Sequence, residues 1–323
     1  MSTPLGIDAI EVANCHIQDF DKKKGTPESI QAIQTAHRLR IIEEWLQAKQ
    51  SKDIQSYSVS DLDLSLLQGN ILDVGCGQGD QTGAIGAFLA KYCPSSHVYG
   101  LDPGPADYGA PYTLVQAQKH ICDSKLGNFV SFEKPGKAKE GLSRYPQAHF
   151  TTLTFSHCLW YFDDEHAILD TFSSALQHGV KNILIAEWAL NSSQETASFA
   201  MPHILAALLQ AHAPLSNINI KLLLSPDQIV QAAEKSGWKM VRQSTFSPDA
   251  KLHDGRWEVD IAINAAEEWL NKVRSESVGQ GTDPKEIVSI QSHLHALRQS
   301  LPAYSSHIRC MDVWTCHLVP NHR

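Results

Sequence analysis

Apolar and polar positions along this chain alternate between two registers. Ile71, Leu72 and Val74 form a compact apolar run of strand type. At 80–92 it gives way to Ala84, Ile85, Phe88 and Leu89, whose spacing of three and four marks the inward face of a helix. The exchange then repeats. Strands are predicted at 97–102, 128–133, 149–156 and 181–186. Helices are predicted between them from about Thr113, in the stretch after Lys134, and from Asp163 to Gly179. Local signals support the boundaries: Thr113 and Gln116 have capping-box spacing, Pro103-Gly104 stops the second strand, and Asp163-Asp164-Glu165 suits a helix N-terminus. The order β-α-β-α-β-α-β-α-β is that of a doubly wound α/β fold, a parallel sheet covered by helices.

Both flanks depart from this rhythm. Residues 1–25 read as irregular. Thr26-Pro27-Glu28 supplies a cap, a proline at the first helical position and an acid, which predicts a helix to about Gln50 with Ile30, Ile33, Ile41, Trp45 and Leu46 as its buried stripe. Arg38 and Arg40 lie mostly off that stripe, as solvated charges or as an arginine reaching over a bound carboxylate. After the fifth strand, 193–213 is a mostly apolar helical insert interrupted by Pro202. Ser225-Pro226-Asp227-Gln228 starts another helix that ends at Ser236-Gly237, and 238–246 is a strand. A second insert of amphipathic helices covers about 250–303, and 308–318 is a last strand. The expected organisation is a lid helix and connector over 1–69, a core over 70–190, 225–249 and 304–323, and inserts at 191–224 and 250–303. The lid helix and both inserts would form a helical cap.

Between the first strand and its helix stands Asp73-Val74-Gly75-Cys76-Gly77-Gln78-Gly79-Asp80. Glycine at 75, 77 and 79 removes every second Cβ, so a ligand can lie against the backbone beside the free N–H groups of the helix start. A phosphate-binding P-loop would need Gly-Lys-Ser/Thr at its end, where this chain has Gly79-Asp80-Gln81. A dinucleotide loop would place glycine at the sixth position, which is Asp80 here, and Asp73 adds a second acid. An acidic rim disfavours a polyanion. It suits S-adenosylmethionine, which carries an ammonium, a carboxylate and a sulfonium, with Asp102 at the end of the neighbouring strand to accept the ribose hydroxyls.

Asp73-x-Gly75-x-Gly77-x-Gly79 with Asp102 resembles class I S-adenosylmethionine-dependent methyltransferases over roughly residues 70–246 and the final strand. The resemblance implies a mostly parallel seven-stranded sheet with an antiparallel last strand. It also implies cofactor contacts from Asp73, from Gly75, Cys76, Gly77, Gln78 and Gly79, and from Asp102, Pro103, Ser156 and His157. For the adenine, where family members often use an acid after strand three, the chain offers Glu133 followed by Lys-Pro-Gly-Lys.

Methyl transfer is an in-line displacement that needs the acceptor positioned and water excluded. His157, after the fourth strand, is the candidate base, with a strand-end structural role as the alternative. Glu187, ending the fifth strand, is a second candidate, pairing with an ammonium or making a structural salt bridge. Trp160, Tyr161 and Trp188 would wall the acceptor or serve as core aromatics. The two inserts imply an enclosed pocket and a small acceptor, an amine or hydroxyl. That arrangement is similar to the histamine N-methyltransferase family, which gives amines a slight lead. No Asn-Pro-Pro-Tyr or Asp-Pro-Pro-Tyr stretch follows the fourth strand, which counts against nucleic-acid bases or glutamine as acceptors.

Composition narrows the alternatives. A net charge of -8 argues against nucleic acid and anionic membrane, and Lys22-Lys23-Lys24 is too short a basic run to change that. Seven cysteines without a Cys-x-x-Cys pair suit reduced thiols. The N-terminus does not read as a targeting segment, and no run approaches about 18 apolar residues. A soluble cytoplasmic protein is expected. The sixteen histidines show no metal-ligand spacing: His293 and His295 point to different helix faces, and His149 and His157 would be roughly 26 Å apart along one strand. No metal is therefore expected. Two rivals stay open: a protein or RNA methyltransferase, and a cofactor-binding regulator or partner subunit without transferase activity.

Overall fold

The computed structural model describes residues 4–47, 59–193, 197–216, 219–275, 283–303 and 307–321. Its elements in order are α1 (Ala9–Ala13), α2 (Ile30–Leu46), β1 (Asn70–Val74), α3 (Asp80–Tyr92), β2 (His97–Leu101), α4 (Leu114–Cys122), β3 (Val130–Phe132), α5 (Ala138–Ser143) and β4 (Phe150–Ser156). Then come α6 (Glu165–Gln177), β5 (Asn182–Trp188), α7 (Ala197–Gln210), α8 (Pro226–Lys235), β6 (Trp238–Phe246), α9 (Asp254–Ser275), α10 (Pro284–Ser300) and β7 (Val313–Pro320). The seven strands form one sheet in the order β3-β2-β1-β4-β5-β7-β6. The first five pair in parallel, and β7 runs antiparallel to both β5 and β6.

Burial follows position in the sheet. Central β5 is covered on both faces from Ile183 to Trp188, whereas edge strand β6 alternates inward and outward positions between Trp238 and Phe246. Helices α1, α2 and α3 pack together, and α6 packs with α5 and α8. Trp45 of α2 donates its Nε1–H to the Ile185 carbonyl at 2.9 Å, anchoring that helix on β5. A separate apolar cluster, including Ala206, Leu209, Val259, Ala262, Leu294 and Leu297, joins α7, α9 and α10. Alanines at the α7–α9 crossing let the two backbones approach closely.

The caps read from the sequence form at α4 (Thr113 with Gln116) and α8 (Ser225 with Gln228, Pro226 leading). Other boundaries shift. The N-terminal helix begins at Ile30, not after Thr26, because Ser29 is the cap: its Oγ accepts from Ala32 N, while the Thr26 hydroxyl donates to Lys23 O in a preceding turn. That helix ends at Leu46, and the expected end at Gln50 lies outside the described residues. The stretch read as irregular holds α1, capped by Asp8 and too short to show a period. Helix α7 runs through Pro202 without interruption. Strand β3 has three residues, β5 extends to include Glu187 and Trp188, and the last strand starts at Val313 instead of 308. His157 lies beyond β4, so it shares no strand with His149. Among the described residues no helix is long and apolar enough to cross a membrane.

Candidate active site

The carboxyl ends of β1, β2, β4 and β5 open into a cleft of about 1060 Å³. This is the crevice where open α/β sheets place ligands. The glycine loop forms one wall. Gly75 and Gly77 have φ of +70° and +53°, a region that L side chains avoid. A Cβ on Gly75 would strike Cys158, whereas one on Gly77 would meet nothing within 4 Å. Gly75 is therefore required by packing, and the space beside Gly77 is open to a ligand. Asp102 holds the loop in place: its Oδ2 accepts from Gly77 N at 2.9 Å and its Oδ1 from Gly104 N at 2.8 Å. Gln118 donates to Gly77 O and Gln78 donates to Tyr112 O, fixing the outer edge. Gly79 gives α3 no side-chain cap, which leaves N–H groups of its first turn for the cleft. Cys76 is a neutral thiol, since burial and the Asp73 and Asp102 charges push its pKa well up.

Asp73 borders the cleft from below. Thr82 Oγ1 donates to its Oδ2 at 2.6 Å and Thr154 Oγ1 to its Oδ1 at 2.8 Å, so its first partners are two hydroxyls that tie β1 to α3 and β4. Burial raises its pKa to about 6, against those two bonds.

Helix α2 supplies the opposite wall. Arg38 Nη1 donates to Ser156 Oγ at 3.0 Å, and Ser156 Oγ donates to Gln81 Oε1 at 3.1 Å. Arg38 Nε and Gln81 Nε2 are left without partners in the protein, although the Gln81 side chain lines the cleft and is only 4% exposed. Two unspent donors at one place call for an anionic or carbonyl oxygen. Arg38 thus lines the cleft instead of standing in solvent as a free helix charge.

The segment after β4 turns sharply. His157 has φ +51°, donates its backbone N–H to Ala186 O, and stacks on Trp188 with centroids 4.1 Å apart. Its Nε2 lies 2.9 Å from Nε2 of His37 on α2. One of the two must donate, while His157 Nδ1, 3.6 Å from a Glu187 oxygen, has no hydrogen-bond partner in the protein. Burial first, then Arg38 and His37, hold the His157 pKa well below its usual range. The side chain is thus neutral, with Nε2 already engaged, a weaker position for a base than the sequence suggested.

Two further expectations are corrected. Glu187 does not face the cleft: it is 1% exposed, its Oε2 accepts from Leu159 N and its Oε1 from Trp188 N, so it pins the turn Leu159–Tyr161 from beneath. Burial pushes its pKa up to about 7, with the backbone donors opposing. Trp160 is a core residue whose Nε1–H donates to Leu224 O. Tyr161 and Trp188 do line the cleft, together with Pro103, Ser156 and His157.

Sequence reasoning placed a helix in the second insert but missed what α9 brings to the cleft. Asp254 and Glu258, one turn apart, both line the cleft. Asp254 Oδ2 accepts from Gln34 of α2 at 2.5 Å, and Glu258 accepts from Asn219, Gln210 and the Tyr161 hydroxyl. Burial raises both carboxyls above their usual range. Their spacing of four was visible, but nothing local placed them beside a loop nearly 180 residues earlier.

A parallel sheet with one reversed strand, β7, between β5 and β6, and a glycine loop closed by an acid just after β2, define a class I, Rossmann-like methyltransferase. The comparison with family models agrees: residues 40–243 match the family described as "Methyltransferase domain", and the chain belongs to it. Among curated proteins it is similar to two methyltransferases of Diaporthe leptostromiformis, phomM' and phomM. Each is 28% identical over an alignment of 288 positions, which covers 77% of this chain and 73% of the relative. Among solved structures, a cyclopropane-fatty-acyl-phospholipid synthase-like protein from Lactobacillus casei has the same fold. The TM-score is 0.74 at 23% identity, with 96% of this chain and 98% of that one covered.

Proposed function

We propose that this protein is an S-adenosylmethionine-dependent methyltransferase acting on a nitrogen or oxygen of a small molecule. The observation that carries the reading is the cleft itself. Open space over Gly77, the Asp102 carboxylate and the unspent donors of Arg38 and Gln81 line one cavity. These groups match the cofactor in kind: Asp102 for ribose hydroxyls, Arg38 and Gln81 for the carboxylate, the glycine-loop backbone for close approach. When bound, the cofactor supplies an electrophilic methyl carbon whose bond to sulfur breaks as the acceptor attacks, with the electron pair passing to sulfur. The chain's own work is to hold the acceptor in line, exclude water and take up a proton.

At about 1060 Å³ the cleft lies at the upper end of the range for small-molecule pockets, which suits a cofactor with a small acceptor beside it. A net charge of -8 supports a small-molecule acceptor over nucleic acid. Calorimetry with S-adenosylmethionine and with its demethylated product, followed by radiolabel transfer to pools of small amines and phenols, tests the reading. Submicromolar to micromolar binding with transfer is expected. Binding without transfer to any pool would favour a regulator, and no binding would sink the assignment.

A further inference from the structure

The cleft lining carries nine carboxylate side chains against four lysines and arginines, and that excess is uneven. Asp163 is answered by Lys137 and Lys221. Asp254 and Glu258 form no ion pair with a lysine or arginine among the described residues, and their hydrogen-bond partners are amides and a phenol. A second, independent observation lies against the same group. Gln210 of α7 is 0% exposed and donates its Nε2–H to Glu258 Oε2, yet its Oε1 has no partner. A buried acceptor left unmet beside a carboxylate lacks a donor. The Tyr161 side chain lines the same cleft, with its hydroxyl on Glu258.

We propose that Asp254, Glu258 and Tyr161, braced by Gln210 and Asn219, form an acceptor subsite for a protonated amine. This rests on the reading of the cleft as the cofactor site and adds the acceptor's class. A phenol or alcohol brings one donor and no charge, and leaves both carboxylates without a close cation. An ammonium brings two or three donors and the missing charge. The chemistry balances without a co-reactant. The bound ammonium gives one proton to the Glu258 carboxylate, its freed lone pair attacks the methyl carbon, and the carbon–sulfur bond breaks with its electron pair going to sulfur. The product is a methylated ammonium and the neutral thioether, and Glu258 returns its proton to solvent.

The test uses the full chain saturated with the demethylated product, S-adenosylhomocysteine, whose uncharged sulfur leaves the carboxylates free. Alkyl and arylalkyl ammonium ions are titrated by calorimetry beside their matched alcohols, for example 2-phenylethylamine against 2-phenylethanol. The best amine is expected to bind about 10- to 100-fold more tightly than its alcohol, the range of a charge-assisted bond. Glu258→Gln should remove most of that preference and Asp254→Asn part of it, with S-adenosylhomocysteine affinity unchanged as the control for folding. Amines no tighter than alcohols throughout the series, or a preference untouched by both variants, would overturn the subsite while leaving the cofactor reading intact. Failure of S-adenosylhomocysteine to bind would remove both.

Discussion

Alanine at Gly75 and at Gly77 separates what the loop does for the fold from what it does for a ligand. Both residues have positive φ, so either alanine strains the backbone by about 1–2 kcal/mol. At 75 the new Cβ would also lie 2.6 Å from Cys158 Cβ and 3.0 Å from its Sγ. Cys158 cannot swing aside freely, since its thiol donates to Val74 O at 3.1 Å and is buried. Overpacking of this kind adds about 1–3 kcal/mol. At 77 nothing lies within 4 Å. Urea denaturation at constant m-value should therefore place Gly75→Ala about 2–5 kcal/mol below the parent chain and Gly77→Ala only about 1–2 kcal/mol below it. Binding should run the other way. Gly77→Val fills the open space where the cofactor is assigned and should weaken S-adenosylmethionine at least about 100-fold, or ~2.8 kcal/mol, in a protein that remains folded. Equal destabilisation by the two alanines would refute the packing argument, and undiminished affinity in Gly77→Val would refute the loop as the seat of the cofactor.

Other substitutions probe the surroundings. Asp102→Ala releases Gly77 N and Gly104 N and removes the expected ribose acceptor; calorimetry should show S-adenosylmethionine affinity lower by about 10- to 100-fold, the loss of a charge-assisted bond. Glu187 has its folded-state pKa raised from 4.5 to about 7, so the native state keeps this proton over a range where the unfolded chain has lost it. Its ionisation therefore costs stability as pH rises from about 4.5 to 7, up to about 3 kcal/mol. Glu187→Gln should flatten the stability–pH curve in that window; an unchanged slope in denaturation across pH 4–8 would show that Glu187 titrates normally. His37→Phe keeps a ring against Trp188 but removes the His157 partner, and should lower stability by about 1–3 kcal/mol. A melting curve matching the parent's would mean that the His37–His157 contact carries no weight.

The strand-and-helix rhythm from Ile71 to Ala186 was legible because each element there obeys one local period and is bounded by local chemistry. Thr113 with Gln116 and Ser225 with Pro226 fall where they were expected. The failures are of another kind. Glu187, Trp160 and His157 looked alike from the sequence, as polar or aromatic residues near strand ends. Which of them meets the cleft depends on two extra residues of β5 and one positive-φ corner, neither of which has a periodic signature. Thr26-Pro27 carried a cap signal as good as that of Ser29, and tertiary packing chose between them. Asp254 and Glu258 were hidden for a simpler reason. Their significance depends on a neighbour supplied by the fold, not on a motif.

Helix α2 depends on parts of the chain made long after it. Trp45 bonds to β5, Gln34 to the start of α9, and Arg242 of β6 donates to the Gln47 and Trp45 carbonyls. The helix also packs on β7. During synthesis α2 emerges early, but its seat is complete only when residues up to Pro320 have been added. A half-made chain would have the glycine loop without Arg38 and His37 across from it. The site is therefore closed only once β7 is in place, and cofactor binding by a nascent chain would report that residues through Pro320 had been made.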